Sequence, residues 1–423
     1  MSNTFLNRII HYIKNNKLML VVHIVSFFIF RAFVLYTLRI LEFGCSVISF
    51  RYTILFYLGM SVFVAYVSYF IYRKRAQGFI MSIVILMMLL LGTEAFLRYG
   101  LKTKATYIER KGGKFYQSRY QQRQYIKTKN TYDINPWRFA HIPNTERWES
   151  SSEFSYLHTY NNEGIRDDSI PLIKDQNEVR VLCLGDSYTE GIGAPQDSTW
   201  AQLLEDKLNN AYKDKRFNCM NAGVAGSDPI DGYYLLEKLV KYQPDLVLLC
   251  MNNTEPSDIS MRGGFDRYTD GELKYNYGPR WEPFFAFSYI VRHISMDVFH
   301  YTYELKTVEK MNKEMEKAYD TLEEAIHKLS TFAASNNAAF AVILIPTDEE
   351  LLAGHTYMDS FIEHLAYTSN INIIYTPPCF DNLMLTNGLY NKKYYWDIDR
   401  HLNSNGYDVL AECIFNKLDM QTQ

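Results

Sequence analysis

Four short polar segments of the chain carry side chains whose types suit acyl transfer. They are GDS at 185–187, NAGVAGSDP at 221–229, MNN at 251–253 and DIDRHLNSNG at 397–406. A serine hydroxyl becomes a nucleophile when a base removes its proton, and histidine is the usual base near neutral pH. A carboxylate beside that histidine fixes its tautomer and stabilises the imidazolium. We therefore predict Ser187 as nucleophile, His401 as base and Asp399 as the acid partner of the base.

The same segments contain candidate donors for the oxyanion of a tetrahedral intermediate. A glycine such as Gly226 lets the backbone approach a substrate closely, so that its N–H can donate. The side-chain amide of Asn252 and the N–H of Ser187 are the other candidates. The turn at Ser187 is not the nucleophile elbow G-x-S-x-G, because Thr189 replaces the second glycine.

Two carboxylates before His401 compete for the role of its partner. In an extended segment Asp397, Asp399 and His401 point to the same side, so alternation does not distinguish the two acids. Asp399 is nearer in sequence, and we expect the turn at Asn405-Gly406 to bring its carboxylate toward the imidazole. Asp399 is therefore the predicted partner, and Asp397 is the alternative.

The elements that must position these residues form a repeating pattern from about residue 178. We predict strands at 179–185, 217–223, 244–252, 338–346 and 371–377, and helices at 198–212, 232–242, 308–337, 360–369 and 405–418. Apolar strands that alternate with amphipathic helices are typical of an α/β fold, here a three-layer α/β/α sandwich with a parallel sheet. Functional sites in such sheets lie beyond the carboxyl ends of the strands, which is where the polar segments fall.

Each segment taken alone has an ordinary structural explanation. Gly-Asp-Ser is most often a turn or a helix cap, and Asn252 and His401 could be loop and surface residues. The occurrence of all four segments at predicted strand ends favours catalysis. Residues 259–305 interrupt the alternation, and we predict an insertion there that forms a lid, a membrane-facing surface or an aromatic core patch.

The four segments resemble the sequence blocks of the SGNH hydrolase superfamily, also called GDSL esterases or lipases. GDSYTEG is similar to the first block, NAGVAG to the second, LLCMNN to the third and DIDRHLNSNG to the fifth. The resemblance covers about residues 155–420 and implies Ser187 as nucleophile, Gly226 and Asn252 in the oxyanion hole, and His401 as base. YNNEGIRDD and NEVRVLCLGDS are similar to membrane-anchored bacterial members in particular.

Two positions depart from the family pattern. Asn253 stands where aspartate is usual, which puts a supporting hydrogen bond in doubt. The acid is more often three residues before the histidine, where this chain has Ile398. Asp399, two residues before His401, fits a D-x-H variant that resembles acetyltransferase-like members acting on exopolysaccharides.

The resemblance implies an enzyme that removes or transfers acyl groups, mostly acetyl, on sugars, lipids or peptidoglycan, with no cofactor and no metal. Our main hypothesis is a serine esterase or O-acyltransferase that acts on a cell-envelope or secreted glycan through a Ser-His-Asp triad. The alternatives are a lipase or thioesterase acting on lipid acyl chains, and a non-catalytic SGNH scaffold in a glycan-modification complex. The intact set of Ser, Gly, Asn and His counts against the scaffold.

Three apolar stretches, at 18–38, 53–71 and 79–97, precede this domain. Each has the length of about 20 residues that a bilayer requires, so residues 1–97 are predicted to form a membrane domain with three transmembrane helices. Basic residues precede the first stretch and separate the second from the third. The positive-inside rule then places residues after 97 on the periplasmic or extracytoplasmic side of a bacterial inner membrane. Residues 98–154 are predicted to be a basic, Tyr-rich juxtamembrane linker, and 155–423 the hydrolase domain.

Composition narrows the partners further. A net charge of -3 over 423 residues gives no reason to expect nucleic acid. The expected partners are an acylated glycan or other ester substrate, membrane lipid, and other membrane proteins of an envelope glycan pathway. The six cysteines show no CxxC spacing and hence no zinc or redox site. Cys183 and Cys250 are predicted core residues, and a disulfide between Cys219 and another loop cysteine is an open alternative.

Overall fold

A five-stranded parallel β-sheet forms the centre of one of two structural units. The structure is a computed structural model and describes residues 76–100, 132–135, 138–265, 284–285, 288–301, 305–380 and 393–418. The first unit spans 1–128 and 277–312, and the second spans 129–276 and 313–423.

The strands form two antiparallel hairpins and the central sheet. They are β1 (Tyr132–Asn135), β2 (Arg138–His141), β3 (Thr145–Ser150), β4 (Ser155–Tyr160), β5 (Glu178–Gly185), β6 (Arg216–Gly223), β7 (Leu246–Met251), β8 (Ala339–Leu344) and β9 (Asn372–Tyr375). β1 pairs with β2 and β3 with β4, while the parallel sheet has the order β6-β5-β7-β8-β9. After β5 the chain adds β6 on one side and β7 on the other. Such a reversal leaves a crevice at the carboxyl ends of the strands.

Helices cover both faces of the parallel sheet. The helices are α1 (Ala76–Ala95), α2 (Ser187–Glu190), α3 (Trp200–Ala211), α4 (Pro229–Leu239), α5 (Glu255–Arg262), α6 (Tyr289–His293), α7 (Val308–Ser335), α8 (Asp348–Ala353), α9 (Asp359–Thr368) and α10 (Ser404–Lys417). Side chains of α4, α7 and α9 pack with one face of the sheet, and those of α3 and α10 pack with the other.

The sequence of β7 shows why the sheet lies between two helical layers. All of its residues are buried, with Val247 and Leu249 in one core and Leu246 and Leu248 in the other. A strand that is apolar on both faces must be covered on both. The predicted α/β fold with a parallel sheet is confirmed, and each predicted strand is present at nearly its predicted bounds.

The predicted linker 98–154 is corrected in its second half. Strands β1, β2 and β3 lie within it, and they belong to the unit that contains the parallel sheet. Sequence reasoning missed β3 because its residues, TERWES, are mostly polar and alternate between half-buried and exposed positions. Such a strand lacks the apolar run by which the central strands were recognised.

The cysteines also depart from one expectation. Cys219 lies buried in β6 as a free thiol, so the suggested disulfide from this residue is wrong. Among the described residues, a disulfide joins Cys379 to Cys413, whose Cα atoms are 5.9 Å apart. Cys183 and Cys250 are buried free thiols, which confirms their prediction as core residues.

In the first unit, the predicted membrane spans can be followed only in part. The stretches 18–38 and 53–71 lie outside the described residues, and 79–97 falls on α1 and the turn that follows it. Across the ranges that the structure describes, no helix combines the length and apolar character needed to cross a membrane.

The end of α1 contacts the insertion within the same unit. The carboxylate of Glu94 accepts the N–H groups of Tyr289 and Ile290 at 2.8 and 3.3 Å, and also the hydroxyl of Ser288. It therefore satisfies donors at the start of α6. Phe285 and Met296 belong to a small buried cluster, so these described residues of the insertion form the core patch among our three alternatives.

Candidate active site

The predicted nucleophile lies at the carboxyl edge of the sheet, directly after β5. Ser187 is the first residue of α2, and the carboxylate of Asp186 caps this turn by accepting the N–H of Tyr188 at 2.9 Å. Gly191 ends the turn with a φ of 88°. The serine is thus held at the start of a single helical turn. It lies beside the crevice between β6 and β7 at the carboxyl end of β5, where a ligand can reach it.

Hydrogen-bonding distances connect Ser187 to His401 and His401 to Asp399. Ser187 Oγ is 2.8 Å from His401 Nε2, and His401 Nδ1 is 2.6 Å from Asp399 Oδ1. A neutral imidazole with its proton on Nδ1 satisfies both contacts, because it donates to the carboxylate and accepts the serine O–H. The imidazole is 26% exposed and the carboxylate 22%, so a substrate in solution can reach the histidine.

The loop before α10 brings Asp399 to the histidine by a different turn from the one we expected. Arg400 has a φ of 74°, and the N–H of Trp396 donates to the carbonyl of His401 at 2.9 Å. The chain therefore turns between Asp399 and His401, and the predicted extended conformation is wrong. Asn405 instead donates its N–H to the side chain of Asn403, which caps α10.

Asn252 follows β7 and is linked to the nucleophile turn, which we define as α2 with its capping residue Asp186. Its Nδ2 donates to Asp186 Oδ2 at 2.9 Å, and its Oδ1 accepts the N–H of Thr254 at 2.8 Å. These bonds fix the amide plane, because both ends of the group are held. Within the described chain, the second Nδ2 hydrogen has no acceptor, so it is available to an oxyanion. Asn253, the position that departs from the family pattern, donates to Thr347 Oγ1 over 3.5 Å, near the limit of a hydrogen bond.

Gly226 follows β6 at the same edge of the sheet. Its φ of 77° lies in the left-handed region that favours glycine. The N–H groups of Gly226 and Ser187 have no acceptor among the described residues, as expected of oxyanion donors. Three residues earlier, a Cβ at Gly223 would lie 2.0 Å from the backbone nitrogen of Glu190, so only glycine permits this approach to the nucleophile turn.

Burial raises the pKa of Asp186 above its ordinary value, although hydrogen bonds from Tyr188 and Asn252 oppose that rise. The same carboxylate caps the turn of Ser187 and holds the Asn252 amide. Asp186 therefore aligns two of the predicted site residues with each other, a role that the sequence did not reveal.

A buried acid that we did not predict lies beneath the site. Glu190 ends the nucleophile turn and is fully buried, with Oε1 accepting the hydroxyl of Tyr160 at 2.8 Å. His158 Nδ1 is 3.3 Å from Oε1, and His141 Nε2 is 3.1 Å from Oε2. Oε2 also accepts the N–H of Ala225, the residue before Gly226, at 2.6 Å. Glu190 thus joins the nucleophile turn to the loop of the predicted oxyanion glycine.

The charge of this acid is maintained by its partners. Burial alone would raise the pKa of Glu190, but His141 and the hydrogen bonds from both histidines outweigh it and hold the pKa well below its usual range. Burial lowers the pKa of His158 below its ordinary value. Sequence reasoning missed His141 because it lies in the segment taken as a linker.

No metal centre accompanies these groups in the described residues, where no cluster of three or more His, Cys, Asp or Glu could hold an ion. The arrangement brings together a serine hydroxyl, an imidazole with a carboxylate partner, and three N–H donors that have no acceptor among the described residues. These are the groups that acyl transfer through a serine requires.

Comparisons with known proteins return similarities in fold alone. No family model matches the chain, and no curated protein matches it. A two-domain esterase active on acetylated mannans, co-crystallised with mannopentaose, is 13% identical with a TM-score of 0.36, over 58% of this chain and 51% of that one. A mutant of an acetyl-xylooligosaccharide esterase from Geobacillus Stearmophilus is 16% identical with a TM-score of 0.36, over 57% and 94%. A psychrotrophic esterase from Pseudoalteromonas sp. is 14% identical with a TM-score of 0.33, over 57% and 98%.

This chain thus spans about half the length of the mannan esterase. All three TM-scores are below 0.5.

Proposed function

We propose that this chain is a serine esterase of SGNH type that forms an acyl-enzyme on Ser187. The observation that carries the proposal is the pair of contacts at His401, with Ser187 Oγ at 2.8 Å on one nitrogen and Asp399 Oδ1 at 2.6 Å on the other. A serine that only capped a helix would need neither contact. An imidazole held between a hydroxyl and a carboxylate is the arrangement that activates serine.

The chemistry follows from these positions. His401 Nε2 takes the proton of Ser187 as Oγ attacks the ester carbonyl, and Asp399 stabilises the imidazolium that results. The N–H groups of Ser187 and Gly226 and the free hydrogen of the Asn252 amide donate to the oxyanion. When the tetrahedral intermediate collapses, the C–O bond to the alcohol breaks and the imidazolium protonates the departing oxygen. Water or an acceptor hydroxyl then gives a proton to His401 as its oxygen attacks the acyl-enzyme carbonyl. When this second intermediate collapses, the C–Oγ bond breaks, the carboxylic acid or the new ester leaves, and the imidazolium returns the proton to Ser187 Oγ.

The proposed substrate is an acetyl or other acyl ester on a cell-envelope or secreted glycan. The placement of Asp399 two residues before His401 supports this substrate. The spacing is similar to that in acetyltransferase-like SGNH members that act on exopolysaccharides. The same resemblance includes transferases, so O-acyl transfer to a glycan hydroxyl is the second candidate. Both candidates share the acyl-enzyme and differ only in the acceptor that removes the acyl group.

The proposed location is a membrane, with the catalytic unit on its periplasmic or extracytoplasmic side. The apolar stretches at 18–38, 53–71 and 79–97 and the basic residues around them support this topology. Leu86, Met88 and Leu89 on α1 are each more than half exposed, which suits contact with lipid. The disulfide between Cys379 and Cys413 favours an oxidising compartment.

The test of the proposed function uses the full-length chain in detergent. We expect an alkylphosphonate to add to Ser187, to be located by mass spectrometry, and p-nitrophenyl acetate to be hydrolysed. Ser187→Ala should abolish both and leave Tm unchanged. Ser404→Ala is the matched control, because Ser404 is also the first residue of a helix but has no proposed part in the site.

The outcomes separate the alternatives. Full activity in Ser187→Ala would refute Ser187 as the nucleophile, whereas a wild-type chain that is neither labelled nor active would favour the scaffold. Faster turnover of long-chain esters than of acetyl esters would favour the lipase or thioesterase. An acceptor glycan that gains the acyl group at the expense of hydrolysis would identify the transferase.

A further inference from the structure

The tip of the β3–β4 hairpin contacts the loop that carries the acid of the proposed triad. Residues 151–154 connect the two strands, which pair along their full length. Phe154 is buried, and its ring centroid is 5.5 Å from that of Trp396. Trp396 Nε1 in turn donates to the carbonyl of Gly193 at 2.9 Å. The hairpin is therefore packed against the start of the acid loop, residues 396–401.

Beside Phe154, the carboxylate of Glu153 accepts three consecutive backbone N–H groups of this loop. Asp397 donates to Oε1 at 3.0 Å, while Ile398 and Asp399 donate to Oε2 at 2.9 Å each. Successive N–H groups that converge on one anion form a binding nest, and hydrogen bonds to a charged acceptor are stronger than neutral ones. A single side chain of the hairpin thus fixes the backbone up to Asp399.

The acid loop has a conformation that requires support. The φ of 74° at Arg400 is uncommon for a residue with a side chain and is maintained by surrounding structure where it occurs. The loop closes on itself through two bonds, from the Arg400 N–H to the Trp396 carbonyl and from the Trp396 N–H to the His401 carbonyl. The three hydrogen bonds to Glu153 hold residues 397–399, directly before the turn at Arg400, in addition to these two bonds.

We propose that Glu153 is a positioning residue of the active site, and that its carboxylate holds the backbone at 397–399 so that Asp399 reaches His401. This inference rests on the proposed esterase function and assigns to the hairpin a part in it. Glu153 acts through Asp399, because its carboxylate is bonded to the N–H of that residue. Loss of Glu153 should therefore weaken the base without altering the binding of the ester.

A double-mutant cycle in the full-length chain tests this role. Glu153→Gln keeps the size of the side chain but loses the charge and places an NH₂ donor among N–H donors. We expect kcat on p-nitrophenyl acetate to fall about 10- to 100-fold, the scale of a misplaced catalytic group, with KM changed less than about 2-fold. In the Asp399→Asn background the same substitution should change kcat by less than about 2-fold, because the residue it positions is already lost.

Two further variants make the test specific. Glu146→Gln is the matched control on the same hairpin, since Glu146 lies on an exposed position of β3. We expect it to retain wild-type kcat in both backgrounds. Glu153→Asp keeps the charge on a shorter side chain, and we expect it to recover part of the activity lost in Glu153→Gln.

If Glu153→Gln lowers Tm too far for assay, the cycle is run with Glu153→Ala, which removes the carboxylate without adding an NH₂ donor, and is judged by the same criterion. Full activity of the Glu153 variant, or an equal fold-loss in both backgrounds, would overturn the inference and leave the esterase intact. A wild-type chain that neither hydrolyses the ester nor reacts at Ser187 would instead overturn the proposed function, and this inference with it.

Discussion

The contact between Asp399 and His401 gives the most quantitative prediction. In Asp399→Asn the side chain keeps its shape but loses the negative charge that faces the imidazolium formed during attack. The new amide can also donate to Nδ1, and the imidazole proton would then lie on Nε2. A protonated Nε2 cannot accept the proton of Ser187. Both effects act on the chemical step, so kcat should fall while KM stays close to that of the wild type.

The size of the loss follows from the geometry. Atoms 2.6 Å apart correspond to charge centres about 4 Å apart, and such a pair is worth about 4 kcal/mol at the effective dielectric constant of about 20 found near protein surfaces. The partial exposure of both side chains, 26% and 22%, makes this surface value appropriate. At about 1.4 kcal/mol for each factor of ten, we expect kcat to fall about 10³-fold. Full solvent screening would leave only about 1 kcal/mol, or roughly a fivefold loss.

The assay is kcat and KM on p-nitrophenyl acetate, with Tm as a check on folding. Asp397→Asn is the matched control, because it makes the same chemical change two residues away and leaves the backbone N–H of residue 397 to bind Glu153. We expect it to lose less than about 10-fold, since its carboxylate is not the one 2.6 Å from the imidazole. A loss below fivefold in Asp399→Asn, or a severe loss in Asp397→Asn alone, would refute this assignment.

Two further predictions concern the oxyanion donor and the buried histidine. Asn252→Ala should lower kcat about 10²–10³-fold, the scale for removing one oxyanion donor, and Asn253→Ala should cost less; the opposite order in kcat would mean that the donor is Asn253. Burial lowers the pKa of His158 in the folded chain. Below the ordinary histidine pKa of about 6.5, the unfolded chain therefore binds a proton that the folded chain does not. The free energy of unfolding should fall as the pH falls through this range. Chemical denaturation should show a free energy of unfolding that declines from pH 7 to 5.5 by at most about 1.4 kcal/mol per pH unit for this group, and a His158→Gln variant with an equal decline would disprove its origin in His158.

The fold was predictable because its signal is local and repeated. Each central strand is a run of apolar residues, and β7 is buried at every position, so the sequence itself records burial on both faces of the sheet. The candidate site residues could be proposed for a related reason. Nucleophilic catalysis restricts the residue types that can serve it, and Ser187, Asn252 and His401 follow or precede recognisable elements. Asp399 was chosen for its nearness to His401 and an expected turn at Asn405-Gly406, whereas the contact depends on a left-handed turn at Arg400, which no feature of that residue type signals.

The supporting acids were not predictable, and the reason lies in what they bind. Glu153 accepts N–H groups of the backbone, and it lies 244 residues before Asp397 in the chain. Since almost every residue has an N–H, such a contact imposes no residue type on its partner and leaves no pattern in the sequence. Glu190 contacts two histidines and a tyrosine on β2 and β4, short strands that lie within or directly after the predicted linker.

These two acids show that the β3–β4 hairpin supports both halves of the proposed site. His158 and Tyr160, on β4, contact Glu190 at the nucleophile turn, while Glu153 at the hairpin tip binds the loop of Asp399. A boundary at residue 155 would separate β3 from β4 and remove Glu153 from the hydrolase domain. The structural unit instead begins at Lys129 and includes both strands of the hairpin. A serine, a histidine and an aspartate can act together only where the backbone that carries them is held. In this chain, side chains of a single hairpin contact the segments that carry two members of the proposed triad, Ser187 and Asp399.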